Sequence, residues 1–413
     1  MTNDGTTGST RPDPFAEIRM TTLNHVGAPN YWSRRPVVRM DLVVGAYDDI
    51  SSAEVPGFAE ALMGAMPGLI EHRCSIGERG GFLQRLEQGT YAPHIAEHVA
   101  LELQSMAGHE VGYGRTRGGD VDGEYTLVIE HQHAGVGLRA ANMALEVVQR
   151  ALAGTLDTVD HMIDELRAIA ATPQSESRPP RVLCGITGST RRSAARAALA
   201  ARHCCAGELL VEVSPVYLLQ QGLPYERAEL ALVVDDLVDD VPPRYREDDR
   251  AVRLLSVMFE GVPRDGIAIV PARAWELQDA ARDLDCRVAV FSDADDVTRR
   301  DRRVARAAAW PRDGRIVIEH RGRQHDGGAI EPDIDVGAQV AGALAAWTLG
   351  ELRPREGSEA DGEQARADAA TTRADAARAR ADAATAHADA ERATTAATTA
   401  ATTTAMTSAA LAE

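Results

Sequence analysis

The sequence contains no lysine, since all 44 basic residues among its 413 are arginine. This absence excludes a lysine Schiff base, and it also excludes the P-loop lysine that reaches nucleotide phosphates. No apolar run approaches the roughly 18 residues of a membrane span, and the first residues lack the basic-then-apolar pattern of a secretory signal. We therefore expect a cytoplasmic protein that does not bind a membrane.

Charge and cysteine content narrow the class further. The net charge of -18 argues against nucleic acid as a partner, because phosphate binding needs a basic face. The cysteines are odd in number and show no C-x-x-C spacing, so we expect them to be reduced and mostly buried. They are Cys74, Cys184, Cys204, Cys205 and Cys286.

The hydrophobic pattern of the first part of the chain predicts a folded domain after a short polar segment. Residues 1–14 are polar and are predicted to be disordered. Residues 15–153 mix strand and helix patterns, which indicates an α+β domain. The predicted strands cover 37–44 and 125–130, and the predicted helices cover 58–66, 94–106 and 136–152.

The remainder of the chain divides by composition and hydrophobic pattern into three parts. Residues 154–180 hold a short helix and a linker rich in Ser, Pro and Arg. From 181 to 350, strand and helix patterns alternate, which indicates an α/β domain with a mostly parallel sheet covered by helices. Residues 351–413 are rich in Ala, Thr, Asp and Arg. Their heptad positions hold no Leu, Ile or Val, so we predict a disordered or weakly helical tail and no coiled coil.

The sharpest local motif is the H-x-x-E-H formed by His94, Glu97 and His98. Residues four apart share one helix face, so both imidazoles can reach one metal ion. Glu97 borders that face, where a carboxylate can take a proton from metal-bound water, whose pKa zinc lowers to about 7. This residue order is that of the inverzincin metallopeptidases. The motif predicts a zinc-dependent hydrolase with Glu97 as the catalytic base.

A catalytic zinc needs a third protein ligand and an open position. Glu130, at the end of a predicted strand, is the first candidate. Glu71, His72 and His131 are alternatives. Glu102 lies one turn further along the same predicted helix, and it is better placed to orient a ligand than to bind the metal.

Four motifs of the first domain together carry a family resemblance. They are GAPNYWS at 27–33, VPGFAEALMGAMPGLIEHRCSIGERGGFLQRLEQGTY at 55–91, HIAEHVALELQSMAG at 94–108 and VGYGRTR at 111–117. Residues 20–153 thereby resemble the N-terminal domain of cyanophycin synthetase, a family that builds an Asp backbone with Arg on each side chain. The resemblance implies that this domain holds polymer and that in some members it is a cryptic zinc metallopeptidase. It further implies that His94, His98 and Glu130 bind the metal and that Glu97 is the base.

The chain departs from this family after the linker. The family has an ATP-grasp domain next, whereas here residues 181–350 directly resemble its Mur-ligase-like domain. The family's phosphate loop T-G-T-N-G-K-T is matched by TGSTRRS, in which Arg191 replaces the second glycine and Arg192 replaces the lysine. Two arginines obstruct the close wrapping of backbone around a phosphate. Gly188, Arg192 and Ser193 therefore mark a degenerate phosphate loop in a pseudoenzyme half, and we do not expect ATP or Mg²⁺ to bind.

Two charged groups complete the candidate sites. Arginine forks pair well with carboxylates, so the arginines of the first domain are predicted to hold polymer carboxylates. They are Arg73, Arg79, Arg85, Arg115 and Arg117. The acidic run of Asp235, Asp236, Asp239 and Asp240 is interpreted as a solvated strand end.

Three functions remain open at this point. The first is zinc-dependent hydrolysis of cyanophycin or a similar Asp/Arg polymer. The second is a non-catalytic module that binds the polymer or a full-length synthetase. The third is ATP-dependent amino-acid ligation. We also expect the protein to be a homo-oligomer.

Overall fold

The computed structural model describes residues 11–351 except 28, 173–180, 203–209, 265 and 296. Cys204, Cys205, the predicted tail beyond residue 351 and the predicted disordered residues 1–10 thus lie outside the described residues. Residues 11–14, also predicted to be disordered, have defined contacts. The hydroxyl of Tyr47 donates a hydrogen bond to the backbone oxygen of Pro12, and Asp13 caps the first helix.

An antiparallel sheet with helices packed on it forms the first domain. Its strands are β1 Arg19–Val26, β2 Val37–Val43, β3 Gly114–Gly118 and β4 Glu124–Glu130, and they lie in the order β1-β2-β4-β3. Its helices are α1 Pro14–Glu17, α2 Phe58–Ala65, α3 Gly81–Gln88, α4 Ala92–Met106, α5 Ala134–Leu152 and α6 Asp160–Ala170.

The core of this domain lies between the two central strands and helices α4 to α6. Met40 of β2 pairs with Leu127 of β4, so the two side chains share one face of the sheet, and both are fully buried. Val99 and Leu103 of α4 belong to the same apolar core. Each such side chain contributes roughly 1.5–3 kcal/mol by burial, which holds α4 firmly against the sheet.

The second domain alternates strands and helices around an eight-stranded sheet. Its strands are β5 Arg181–Thr187, β6 Leu210–Glu212, β7 Arg227–Val233, β8 Ile267–Pro271, β9 Arg287–Phe291, β10 Ala308–Arg312, β11 Arg315–His320 and β12 Arg323–Ala329. Its helices are α7 Arg192–Arg202, α8 Pro215–Gln221, α9 Asp248–Glu260, α10 Trp275–Asp283, α11 Arg299–Val304 and α12 Val336–Glu351. The strand order is β12-β11-β10-β9-β8-β7-β5-β6.

The pairing of these strands confirms the predicted α/β class. The six strands from β5 to β10 pair in parallel, whereas β11 and β12 add an antiparallel edge. Parallel strands are buried on both faces, which explains continuous apolar runs such as that of β8, where all five residues are buried. Helices α7 and α12 pack in the apolar core on one face of this sheet, and helices α8, α9 and α10 pack in the core on its other face.

A segment of the first domain, Pro29–Ser33, packs into the second domain. The indole N–H of Trp32 donates to the backbone oxygen of Leu219 at 2.8 Å, and Arg253 donates to the backbone oxygen of Tyr31 at 3.1 Å. The rings of Tyr31 and Trp32 also meet Tyr245 edge-on. Because these side chains join one apolar core with α8 and α9, the two domains share buried surface.

Two strands of the first domain are absent from the predicted elements. β1 is an edge strand that is largely exposed, so it lacks the alternation of buried and exposed residues that marks a strand. β3 contains two glycines, which favour turns in sequence-based reasoning. Within the described part of the chain, every helix is too short or too polar to cross a membrane.

Candidate functional site

Helix α4 carries the predicted metal-site residues on one side. Tyr91 precedes the helix in an extended conformation and Pro93 lies in its first turn, where a missing backbone N–H costs nothing. His94, Glu97 and His98 follow, and the last two are each 6% exposed. Burial of a carboxylate and an imidazole is expensive unless both have partners, so their contacts define the site.

Each histidine of the motif is held through its Nδ1 atom. The Nδ1 of His94 lies 2.8 Å from the hydroxyl of Thr90. The Nδ1 of His98 lies 2.9 Å from the Nδ1 of His72, whose Nε2 lies 3.1 Å from Glu102. Since Nδ1 is engaged in both motif histidines, Nε2 is the atom that each can offer to a metal.

The tautomer of His98 follows from the same chain of contacts. The carboxylate of Glu102 accepts from the Nε2–H of His72, so a neutral His72 has a lone pair on Nδ1. The Nδ1–H of His98 then donates to that lone pair. Its Nε2 is therefore the unprotonated atom, as metal binding requires. Glu102 thus contacts His98 only through His72.

Cys74 joins the two histidines. Its Sγ lies 3.3 Å from the Nε2 of His94, and ligand atoms of Cys74, His94 and His98 all lie within 4.8 Å of one another. Cys74 has a φ of 51°, which is rare outside glycine, and it starts a short 3-10 turn that ends at Gly77. The sequence did not single out this residue, because all five cysteines were expected to be reduced and mostly buried.

The structure places Glu130 away from the histidines. The guanidinium of Arg35 and the backbone N–H groups of Gly112 and Tyr113 all donate to its carboxylate. Glu130 is 3% exposed, and these three donors compensate for its burial. Its carboxylate is therefore already satisfied in a different place, and it is not part of the group that Cys74 forms with the two motif histidines.

The alternatives for the third ligand are also accounted for. Glu71 forms an ion pair with Arg79, in which the Nε of Arg79 lies 3.0 Å from the Oε1 and 2.9 Å from the Oε2 of Glu71. His72 lies in the site but uses both ring nitrogens on His98 and Glu102. His131 lies beside His25, with ring centroids 4.9 Å apart and the rings tilted by 53°, and it is not part of the group that Cys74 forms with the two motif histidines.

The electrostatics of the motif favour a metal and a base. Burial lowers the pKa of His94 to about 4 and that of His98 to about 2, so both imidazoles are neutral at pH 7 and keep their lone pairs. Burial raises the pKa of Glu97 to about 7, although a hydrogen bond from Thr116 opposes this rise. A carboxylate with a pKa near 7 is well matched to general acid and base catalysis at neutral pH.

These residues line a cavity of about 1070 Å³. Three of the arginines predicted to hold polymer carboxylates, Arg73, Arg85 and Arg115, lie on its wall. Arg79 and Arg117 are exposed and are not among its lining residues. The cavity thus brings cationic side chains to the same space as Glu97.

His131 gives a prediction about acid stability. Neither of its ring nitrogens has a hydrogen-bond partner among the described residues, and burial lowers its pKa to about 4. Between pH 6.5 and about 4 the unfolded chain therefore binds more protons than the folded protein does. The free energy of unfolding falls as the pH is lowered through this range, by about 3 kcal/mol in total for this group. We expect His131→Leu to remove this part of the decrease in the free energy of unfolding at acid pH, as measured by urea unfolding at pH 7 and pH 4.5.

Other buried histidines also lower the free energy of unfolding at acid pH, so a matched control variant is needed to isolate the effect of His131. His161 is exposed on α6, and His161→Leu should leave the pH dependence of unfolding as it is in the unmodified protein. Parallel pH profiles for His131→Leu and His161→Leu would contradict the role given to burial of His131.

The loop predicted to be a degenerate phosphate loop joins β5 to α7. The hydroxyl of Ser193 donates to Glu212 at 2.7 Å, and the guanidinium of Arg192 donates to the backbone oxygen of Gly188. Asp235 is 1% exposed and lies against this loop, so its interpretation as part of a solvated strand end is wrong. A residue at the end of a buried parallel strand can turn inward, and the sequence pattern does not reveal which one does.

Solved structures of Mur-type ligases share a weak likeness with this chain. The UDP-N-acetylmuramoylalanyl-D-glutamyl-2,6-diaminopimelate–D-alanyl-D-alanyl ligase of Acinetobacter baumannii matches 43% of this chain and 46% of its own, at 14% identity and a TM-score of 0.25. A murein peptide ligase of Psychrobacter arcticus matches 47% of this chain and 50% of its own, at 11% identity and a TM-score of 0.28.

The first domain has much closer relatives. Residues 38–153 match the family described as the cyanophycin synthase-like N-terminal domain. The cyanophycin synthetase of Synechocystis sp. is 42% identical over 140 residues, and that of Geminocystis herdmanii is 39% identical over 140 residues. Each match covers 33% of this chain and 16% of the relative, so the chain spans about one sixth of the length of these proteins. Residues 38–153 of this chain are therefore similar to the cyanophycin synthase-like N-terminal domain.

Proposed function

We propose that the first domain binds zinc through Cys74, His94 and His98 and hydrolyses amide bonds in cyanophycin or a similar Asp/Arg polymer. The observation that carries this proposal is the meeting of two neutral imidazoles, one thiol and Glu97 in a single cavity. Hydrolysis requires the metal ligands, the base and the substrate contacts to converge in one space, and the convergence of these side chains in one cavity supports the proposal.

The donor set fits zinc. Thiolate sulfur binds zinc at about 2.3 Å and imidazole nitrogen at about 2.0 Å, so two such atoms in a tetrahedral site lie about 3.5 Å apart. The Sγ of Cys74 and the Nε2 of His94 are 3.3 Å apart. Three protein ligands leave the fourth position that catalytic zinc sites keep open.

The side chains around this position have separate tasks. Zinc, when bound, would polarise a carbonyl and make water a better nucleophile. Glu97 has its Oε2 held by the hydroxyl of Thr116, so its Oε1 takes the proton of the attacking water and later returns it to the leaving amine. Arg73 and Arg115 lie where they can pair with carboxylates of the polymer.

The direct test is cleavage of polymer by the full-length protein. We expect zinc-loaded protein to shorten cyanophycin chains on a denaturing gel, and we expect a chelator to stop this and added zinc to restore it. Polymer that is retained by the protein without becoming shorter would instead identify a non-catalytic binding module.

Cys74 can be tested without measuring activity. Cobalt bound to a thiolate absorbs strongly in the near ultraviolet, and we expect this band in the cobalt-loaded protein. We expect Cys74→Ser to lose the band and to bind metal about 10-fold more weakly or worse, because a ligand is removed. Cys286 is buried in the second domain, so Cys286→Ala should keep the band. A band that persists in Cys74→Ser would exclude Cys74 as a ligand.

We also propose that residues 181–350 carry no ligase activity. Arg192, which stands where the phosphate-binding lysine is expected, turns its guanidinium back onto the backbone oxygens of Gly188 and Ser189. Arg191 pairs with Asp293 at 2.9 Å and with Asp335 at 3.2 Å. Both arginines of the loop are thus engaged within the protein, and neither is directed to a nucleotide.

A further inference from the structure

The loop between β5 and α7 has the backbone groups of an anion site. In phosphate loops, backbone N–H groups at the start of a helix surround the phosphate, and the helix dipole adds to the attraction. Here the N–H groups of Ser189 and Thr190 point to a common acceptor, and α7 begins two residues later at Arg192. The question is which anion they hold.

The acceptor is the carboxylate of Asp235, which follows β7. Its Oδ1 accepts from the N–H of Ser189 at 2.7 Å, and its Oδ2 accepts from the N–H and the hydroxyl of Thr190, each at 3.1 Å. The N–H of Leu237 adds a fourth donor at 3.2 Å. A carboxylate with four donors and 1% exposure is a fully satisfied buried anion.

The loop also lies directly on the strand end that carries this carboxylate. Gly188 has a φ of 130°, and a Cβ placed on it would lie 2.7 Å from Val234 and 3.0 Å from the Oδ1 of Asp235. The N–H of Asp239 donates to the hydroxyl of Ser189 at 2.9 Å, which is a further hydrogen bond between the loop and the segment that follows β7. A phosphate could therefore enter only by displacing Asp235.

We propose that Asp235 occupies this loop as an internal anion in the place of a nucleotide phosphate. The proposal deepens the loss of ligase activity proposed above, on which it rests, and gives that loss a physical cause. A phosphate would have to replace a carboxylate that is already bound and enter beside two further aspartates of the same segment, Asp239 and Asp240. The first requirement costs four hydrogen bonds, and the second adds repulsion between like charges.

The test is to remove the internal anion and to measure binding of inorganic triphosphate by calorimetry on the full-length protein. We expect no binding by the unmodified protein at millimolar triphosphate and an affinity at least about 10-fold higher in Asp235→Ala, a difference of about 1.4 kcal/mol. Asp235→Asn keeps the shape and one acceptor oxygen, so it covers the case in which the alanine variant does not fold. Asp236 pairs with Arg273 on the surface, so Asp236→Ala is the matched control and should behave as the unmodified protein.

Hydrogen exchange supplies a second measurement. The amides of Ser189 and Thr190 should be protected in the unmodified protein and should exchange at least about 10-fold faster in Asp235→Ala, because their acceptor is gone. Equal triphosphate binding by the unmodified protein and Asp235→Ala would overturn the proposal. So would a folded Asp235→Ala or Asp235→Asn protein that binds no triphosphate. Polymer cleavage, measured on the same preparations, reports separately on the first domain.

Discussion

Replacement of Glu97 by Gln is expected to reduce polymer cleavage by about 10²–10⁴-fold while zinc content stays at one equivalent. General acid and base catalysis contributes a factor of this size, and glutamine cannot accept the proton of water. Glu97 is not in the ligand group of Cys74, His94 and His98, so the metal should remain. Glutamine also retains an oxygen that can accept the hydrogen bond from Thr116, so the fold should be unaffected.

Zinc analysis, thermal unfolding and initial rates of cleavage on one preparation separate these effects. Glu60 is exposed on α2, and Glu60→Gln makes the same chemical change away from the cavity. It should cleave polymer at the unmodified rate. If Glu97→Gln cleaved polymer as fast as Glu60→Gln, the base would have to be a different group and the proposed mechanism would fail.

A single methyl group on β3 should have nearly as large an effect. A Cβ on Gly114 would lie 2.5 Å from the Oε1 and 2.7 Å from the Cγ of Glu97, so Gly114→Ala must displace that side chain. A displacement of about 1 Å at a reacting group can cost about 10² in rate. We therefore expect Gly114→Ala to lose about 10²-fold in cleavage and to retain its zinc.

The same strand offers the control. Gly118 also lies on β3, and a Cβ there would meet nothing within 4 Å. Both variants add one methyl group to one strand, so an effect on strand propensity would be shared by the two. Equal cleavage rates for Gly114→Ala and Gly118→Ala would show that the position of Glu97 does not limit the reaction.

The sequence predicted the part of the site that lies on one helix. His94, Glu97 and His98 are neighbours because residues three and four apart lie on one side of a helix, and this spacing is independent of the rest of the fold. The α+β and α/β classes were predictable for the same reason, since hydrophobic periodicity is local.

The third member of the proposed metal-ligand group was not predictable in this way. Cys74 lies 20 residues before His94, in a short turn with a left-handed backbone, and only the tertiary packing of that turn brings the thiol to the histidines. Glu130 was the first candidate because it ends a predicted strand. The three donors around its carboxylate come from separate segments, and no sequence pattern links them to it.

The local sequence also does not predict which residue after the end of a strand is buried. The four aspartates that follow β7 look alike in the sequence, and yet Asp235 is buried and the others are not. Its partners, Ser189 and Thr190, are more than 40 residues away in the chain. A local pattern fixes where an acidic run occurs, whereas the contacts of each carboxylate depend on which loop packs against it.

The aromatic segment Pro29–Ser33 gives the second domain a role in folding that does not depend on any activity of its own. Tyr31 and Trp32 are 8% and 4% exposed because α8 and α9 cover them. A first domain without that cover would present two large aromatic rings to water, which invites aggregation. The two domains are thus expected to unfold as one cooperative unit, so the second domain would stabilise the fold whether or not it catalyses a reaction.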